Sequence, residues 1–256
     1  MKLASFRAPG DTVGHLGGVV GDAMVALHPA LAAAQHAAGE PDTAKRQIPA
    51  TMLGLLGAGE AAMVAAARAL AFAARPESAA LRRPLAEVAL EAPLIPGKIL
   101  GVGRNYADHV KEVGGPTLSA PRIFRKPGSS VCGPGTQVRI PPAALKPDWE
   151  VELGVVIGRA AREVPETRAL EYVAGYTVLN DLTDRALQFD HPVGMTSFGK
   201  GLDGFCPMGP FLVTADEVGE PWQLRLTCHL NGELVQQGNT RDLIFSVAAL
   251  IAWLSR

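Results

Sequence analysis

This 256-residue sequence predicts an α+β fold, mainly β, with helices in the minority. Three observations carry that reading. The 28 glycines and 20 prolines fall between short apolar runs, the mark of a chain that turns often. Those runs have strand lengths, and helical patterning is confined to alanine-rich segments near the start and one apolar segment near the end. With 48% apolar and 19% charged residues, the chain can bury one large core or the cores of two unequal domains.

Taken in order, residues 3–6 read as a strand, and residues 18–27 as two strands broken at Gly21-Asp22 by a hairpin turn. Residues 29–38 and 58–74 are rich in alanine, the strongest helix former, and read as helices. A proline-rich passage, residues 90–97, then separates a small N-terminal α/β region (1–95) from a longer β-rich body (96–256). In the body, Val155, Val156 and Ile157 run on without alternation, as in a strand covered on both faces, and residues 176–181 read as a second inner strand. Leu224, Leu226 and Cys228 alternate with polar residues before Asn231-Gly232, which predicts an antiparallel hairpin. A last helix is expected from Thr240 as N-cap, with Asp242 in its first turn and Leu243, Ile244, Val247, Leu250, Ile251 and Leu254 on its buried face.

Composition excludes some function classes. A formal net charge of -1, with no basic patch, makes no electrostatic case for nucleic acid or an anionic membrane as partner. The first residues lack the apolar core of a secretory signal, and residues 61–74 contain Arg68 and are too short to span a bilayer, so the cytoplasm is the expected location. Cys132, Cys206 and Cys228 are isolated, fit a reducing compartment and read as small apolar residues. Gly101-Val-Gly-Arg-Asn-Tyr106 lacks the third glycine of a dinucleotide fold, so a Rossmann reading is rejected.

The most informative chemistry lies in Asp-Trp-Glu150-Val-Glu152-Leu-Gly. On a strand, residues two apart face the same side about 6.6 Å apart, so both carboxylates look into one space and repel unless a cation lies between them. Asp181 closes the second inner strand, and three carboxylates without a nearby Cys or His favour a hard cation, Mg2+ or Mn2+. A short helix would put His109 and Glu112 on one face, where the carboxylate orients the imidazole and raises its basicity. The neighbouring Gly114-Gly115-Pro116 suits a hinged lid. Arg185, Gln188 and Lys200 follow Asp181 within twenty residues and can clamp an anionic substrate, although by spacing alone they read more readily as solvated loop charges.

These motifs spell a resemblance. Gly-Val-Gly-Arg-Asn-Tyr-Ala-Asp-His109, Phe124-Arg-Lys-Pro, Asp-Trp-Glu-Val-Glu-Leu-Gly-Val-Val-Ile-Gly, Val-Ala-Gly-Tyr-Thr-Val-Leu-Asn-Asp181, Pro-Met-Gly-Pro and Asn-Gly-Glu stand in the order found in the fumarylacetoacetate hydrolase family. The resemblance is most specific between Lys98 and Phe245. It implies a mixed β-roll and a homodimer, with Glu150, Glu152 and Asp181 as Mg2+ ligands and His109 with Glu112 as the water-activating dyad. Lys200 would support developing negative charge, and Arg185, Gln188 and Lys200 would line the substrate pocket. It further implies a small 2-oxo acid substrate bearing a second carbonyl, with hydrolytic C–C cleavage of an acylpyruvate type as the first expectation. Isomerisation or tautomerisation of a 2-hydroxy-diene-dioate, decarboxylation of oxaloacetate, and a non-catalytic homologue binding a small acid are the alternatives.

Two departures from the family pattern stand out. Asp184 precedes Arg185 and Ala186 follows it, so an acid has moved to the other side of the arginine, with an expected effect on how the arginine is held. The sequence also stops at Arg256, where the family continues into strands carrying a Gly-Thr-Pro-x-Gly motif. The expectation is that this tail exists beyond the given sequence, because losing those strands would expose apolar faces and open edges.

Overall fold

The computed structural model describes residues 1–108 and 118–256. The N-terminal region opens with β1 (Lys2–Arg7), β2 (His15–Val20) and β3 (Ala23–Ala26), an antiparallel meander. The β2–β3 turn falls at Gly21, whose φ of 62° a side chain would oppose. Helices α1 (Leu27–Ala37), α2 (Ala44–Gln47), α3 (Met52–Gly57) and α4 (Glu60–Ala73) follow. Their small residues let them pack closely, with Ala30, Leu31, Leu55, Ala66 and Ala69 buried in one core with Leu3 and Val25. Leu70 of α4 lies over Gly18, where a Cβ would come within 2.7 Å of its Cδ1.

Two short strands, β4 (Arg82–Pro84) and β5 (Ala89–Leu90), lead out of this region. The body contains β6 (Ile99–Gly103), β7 (Arg122–Lys126), β8 (Val131–Cys132), β9 (Pro147–Asp148), β10 (Val151–Ile157), β11 (Val173–Asn180) and β12 (Thr183–Asp184). Then come α5 (Thr196–Gly199), β13 (Cys206–Thr214), α6 (Ala215–Val218), the hairpin β14 (Arg225–Leu230) and β15 (Glu233–Asn239), and α7 (Val247–Leu254). The main sheet runs β10-β11-β13-β1-β2-β3-β4, with β5 on β1 and β8 on β13. It crosses the 90–97 passage, because β1 of the first region pairs with β13 of the second, Leu3 opposite Leu212.

A second core forms where α7 and the 3-10 turn at Glu166–Tyr172 cover Val173 and Tyr176 of β11. Val155 packs on this core and Val156 on the first, so β10 is covered on both faces over its apolar run; Ile157, at its end, is 45% exposed. The fold is thus the mixed α/β class expected, with a large antiparallel sheet. Helical segments cover about as much chain as strands, however, because short 3-10 turns with no periodicity of their own add to the alanine-rich helices.

Two elements differ from expectation. The last helix starts at Val247, not after Thr240. Thr240–Asp242 is a single 3-10 turn capped by Asn239, after which Asn105 holds the backbone extended. Asn105 O accepts from Ile244 N (2.7 Å), its Oδ1 accepts from Phe245 N (2.8 Å) and its Nδ2 donates to Phe245 O (3.0 Å). Ser246 then caps the helix, accepting from Ala249 N at 3.0 Å. The other difference is at Glu150, which precedes β10 rather than lying in it. Among the described residues, no helix is long and apolar enough to cross a membrane. His109 and Glu112 lie outside the described residues.

Candidate metal and substrate site

The site forms at one end of the β10–β11 pair. Val151 lies opposite Asn180, Asp181 N donates to Glu150 O (2.7 Å), and Glu150 N donates to Asn180 Oδ1 (3.1 Å). This brings Glu150, Glu152 and Asp181 to one end of two neighbouring strands. Gln236 of β15 holds the opposite side of the Glu-Val-Glu run: its Oε1 accepts from Val151 N (2.7 Å) and its Nε2 donates to Val151 O (3.0 Å).

Three cations enter the cluster. Lys200, which follows α5, donates from Nζ to Glu150 Oε2 (2.6 Å), Asp181 Oδ2 (2.7 Å) and Thr183 Oγ1 (2.7 Å). Its ammonium also stands 5.0 Å from the centre of the Phe124 ring, a cation–π contact. Lys126, at the end of β7, stands 2.7 Å from Asp181 Oδ1 and donates to the backbone carbonyls of Lys200 and Leu182. The Asp181 contact has ion-pair distance without hydrogen-bond alignment, leaving Oδ1 short of a well-directed donor. Arg185 reaches Glu150 Oε1 (2.6 Å), Asp148 Oδ2 (2.8 Å) and Gln188 Oε1 (2.9 Å).

Electrostatics record an excess of negative charge. Burial first, then the Glu150 and Asp181 carboxylates, push Glu152 up to about 8, and Lys200 only partly offsets them. Burial lowers Lys126 despite Asp181 beside it. For Arg185, burial opposes the charge, but Glu150 and Asp148 prevail and raise its pKa. Burial, then the charges of Glu152 and Asp242, raise Tyr106 well above the usual phenol range.

The structure therefore brings together Glu150, Glu152, Asp181, Arg185, Gln188 and Lys200. Among the described residues, no three His, Cys, Asp or Glu side chains converge to hold an ion as they stand; the Lys200 ammonium lies between Glu150 and Asp181. The donor set nevertheless fits a hard divalent cation, since all three carboxylates offer oxygen and the buried Asp181 Oδ1 lacks a well-directed donor. Asp184 does not touch the arginine's head group: it is fully buried, and its oxygens accept from Lys146 N (2.6 Å) and Leu187 N (3.1 Å). Sequence reasoning missed Lys126, Asp148 and Thr183. Lys126 and Asp148 carried a signal, as the lysine of the Phe124-Arg-Lys-Pro motif and the aspartate that opens Asp-Trp-Glu-Val-Glu.

Residues 98–256 match the fumarylacetoacetate (FAA) hydrolase C-terminal family. The chain belongs to that family. A Burkholderia lata protein provisionally named a hydrolase is 51% identical over 159 residues, 62% of this chain and 56% of its own length. The chain thus spans little more than half the length of the curated relatives it matches. Among solved structures, maleylpyruvate hydrolase from Sphingobium sp. SYK-6, in complex with manganese(II) and pyruvate, is 32% identical with a TM-score of 0.74, covering all of this chain and 83% of that one. The 5-carboxymethyl-2-hydroxymuconate delta-isomerase from Mycobacterium smegmatis is 28% identical with a TM-score of 0.70, over all of this chain and 81% of that one. The family thus includes both hydrolases and isomerases.

Proposed function

We propose that this chain is a divalent-metal-dependent enzyme that cleaves a C–C bond in an acylpyruvate-type 2-oxo acid by hydrolysis, as a cytoplasmic homodimer. The observation that carries the reading is the pair Glu150 and Asp181 gathered on one ammonium, with Glu152 at the same strand end and Arg185 and Gln188 alongside. Mg2+ or Mn2+ held by the three carboxylates would supply Lewis acidity toward the substrate's oxygens. Arg185 and Gln188 orient the substrate carboxylate, which competes with Glu150 and Asp148 for the guanidinium. His109, with Glu112 as its expected partner, takes a proton from water; the resulting hydroxide adds to the distal carbonyl. The C–C bond then breaks, its electron pair leaving with the pyruvate-type fragment, and Lys200 supports that negative charge.

A second reading, isomerisation of a 2-hydroxy-diene-dioate, is favoured by the isomerase among the structural relatives. It uses the same electron-rich fragment, reprotonated at another carbon without attack by water.

NMR of the protein with acetylpyruvate, fumarylpyruvate, oxaloacetate and a 2-hydroxy-diene-dioate, each with Mg2+, Mn2+ or EDTA, separates the readings. Pyruvate plus a free acid, lost on chelation and in Glu150→Ala, is the expected result. A rearranged but intact product would make the chain an isomerase, and undiminished turnover in Glu150→Ala would sink the metal assignment.

A further inference from the structure

The two lysines of the cluster are anchored by different kinds of partner. Lys126 Nζ donates to the backbone carbonyls of Lys200 and Leu182, and its side chain is 2% exposed. Carbonyls of packed backbone cannot be withdrawn by an arriving ligand, so this ammonium is a fixture. Lys200 Nζ is bonded instead to the side chains of Glu150, Asp181 and Thr183. Two of these three are proposed ligands of the divalent cation.

An ammonium and a dication cannot both take the same oxygens at bonding distance, because like charges about 4 Å apart in a poorly solvated site repel strongly. Thr183 Oγ1 and the Phe124 ring remain available to the ammonium when the carboxylates turn elsewhere. We infer that Lys200 is an exchangeable occupant of the cation site: entry of the metal displaces its ammonium from Glu150 and Asp181, while Lys126 stays in place and holds Asp181. The inference rests on the metal assignment proposed above. Its consequence is an order of events, in which the lysine that supports the substrate's charge is released only in the loaded site.

The test uses the full chain and Mn2+ in two measurements. In titration calorimetry, Lys200→Met removes a competitor and binds Mn2+ about tenfold more tightly than the parent. Reductive methylation read by peptide mass spectrometry needs no variant. Labelling at Lys200 rises several-fold when Mn2+ is added, and labelling at Lys126 does not. Equal or weaker binding by a folded Lys200→Met, or Lys200 labelling unchanged by bound Mn2+, overturns the exchange alone. A parent protein that binds no Mn2+ overturns the metal assignment and the exchange with it.

Discussion

Replacing Gln236 by leucine tests how the Glu-Val-Glu run is held. Strand β10 is the last in the main sheet, so Val151 has no strand neighbour on the side away from β11. Gln236 fills that place with a side-chain amide, bonded at 2.7 Å to Val151 N and at 3.0 Å to Val151 O. Leucine keeps the bulk and leaves both backbone groups unpaired in a residue that is 8% exposed. A buried unpaired group costs about 1–3 kcal/mol, and partial entry of water brings the two together to roughly 2–4 kcal/mol. For a chain of 256 residues the unfolding entropy is about 0.5 kcal/mol/K, so Tm should fall by about 4–8 °C in a calorimetric scan. Mn2+ affinity should fall several-fold as well, because Val151 spaces the two glutamates. The neighbouring Gln237→Leu, on the exposed side of β15, is the control and should change neither. A Gln236→Leu variant melting within about 1 °C of the parent would refute the clamp.

Gly175→Ala places a Cβ 2.9 Å from Val213 C and 3.0 Å from Thr214 Cα, nearer still to the Val213 carbonyl oxygen. Backbone on both sides cannot yield like a side chain, so β11 and β13 must part at a cost of about 1–3 kcal/mol, read as a lower Tm; an unchanged Tm would contradict the close approach. Burial pushes the Cys206 thiol up to about 11, with Lys126 pulling the other way. This group costs no stability below about pH 9, where it is protonated folded and unfolded. Between pH 9 and 11 the unfolded thiol ionises first, so roughly 2 kcal/mol of stability is lost as pH rises. Chemical denaturation across that range should show the loss in the parent and a shallower one in Cys206→Ala.

Local chemistry was the legible part of this chain. Gly21-Asp22 and Asn231-Gly232 marked hairpins because few residues tolerate their backbone angles, and the alanine runs marked α1 and α4 because nothing else competes for them. Glu150, Glu152 and Asp181 could be grouped because two strands ending together put their last carboxylates side by side. Lys126 could not be placed, since a lysine at the end of a short strand usually points to water, and it is Asp181 and the carbonyls of Leu182 and Lys200, all distant in sequence, that draw it inward. The start of α7 was misplaced for a similar reason. Leu243 and Ile244 fit a helical face, but Tyr106 and Asn105, far away in sequence, take the backbone of Leu243 and of Ile244 and Phe245 first. Asp184 was expected to disturb Arg185 and is spent on two backbone amides, a use that spacing alone does not reveal.

The central pairing of β1 with β13 has a cost during synthesis. Thr214, at the end of β13, lies 213 positions after Met1, so β1 must wait for a partner made much later in synthesis. Until then the N-terminal meander carries an unsatisfied rim that any other nascent strand could join. Such distant contacts also make the closing step slow. The middle of the sheet is thus the last place to close, and the rim it leaves open until then is the part of the fold most exposed to wrong pairing.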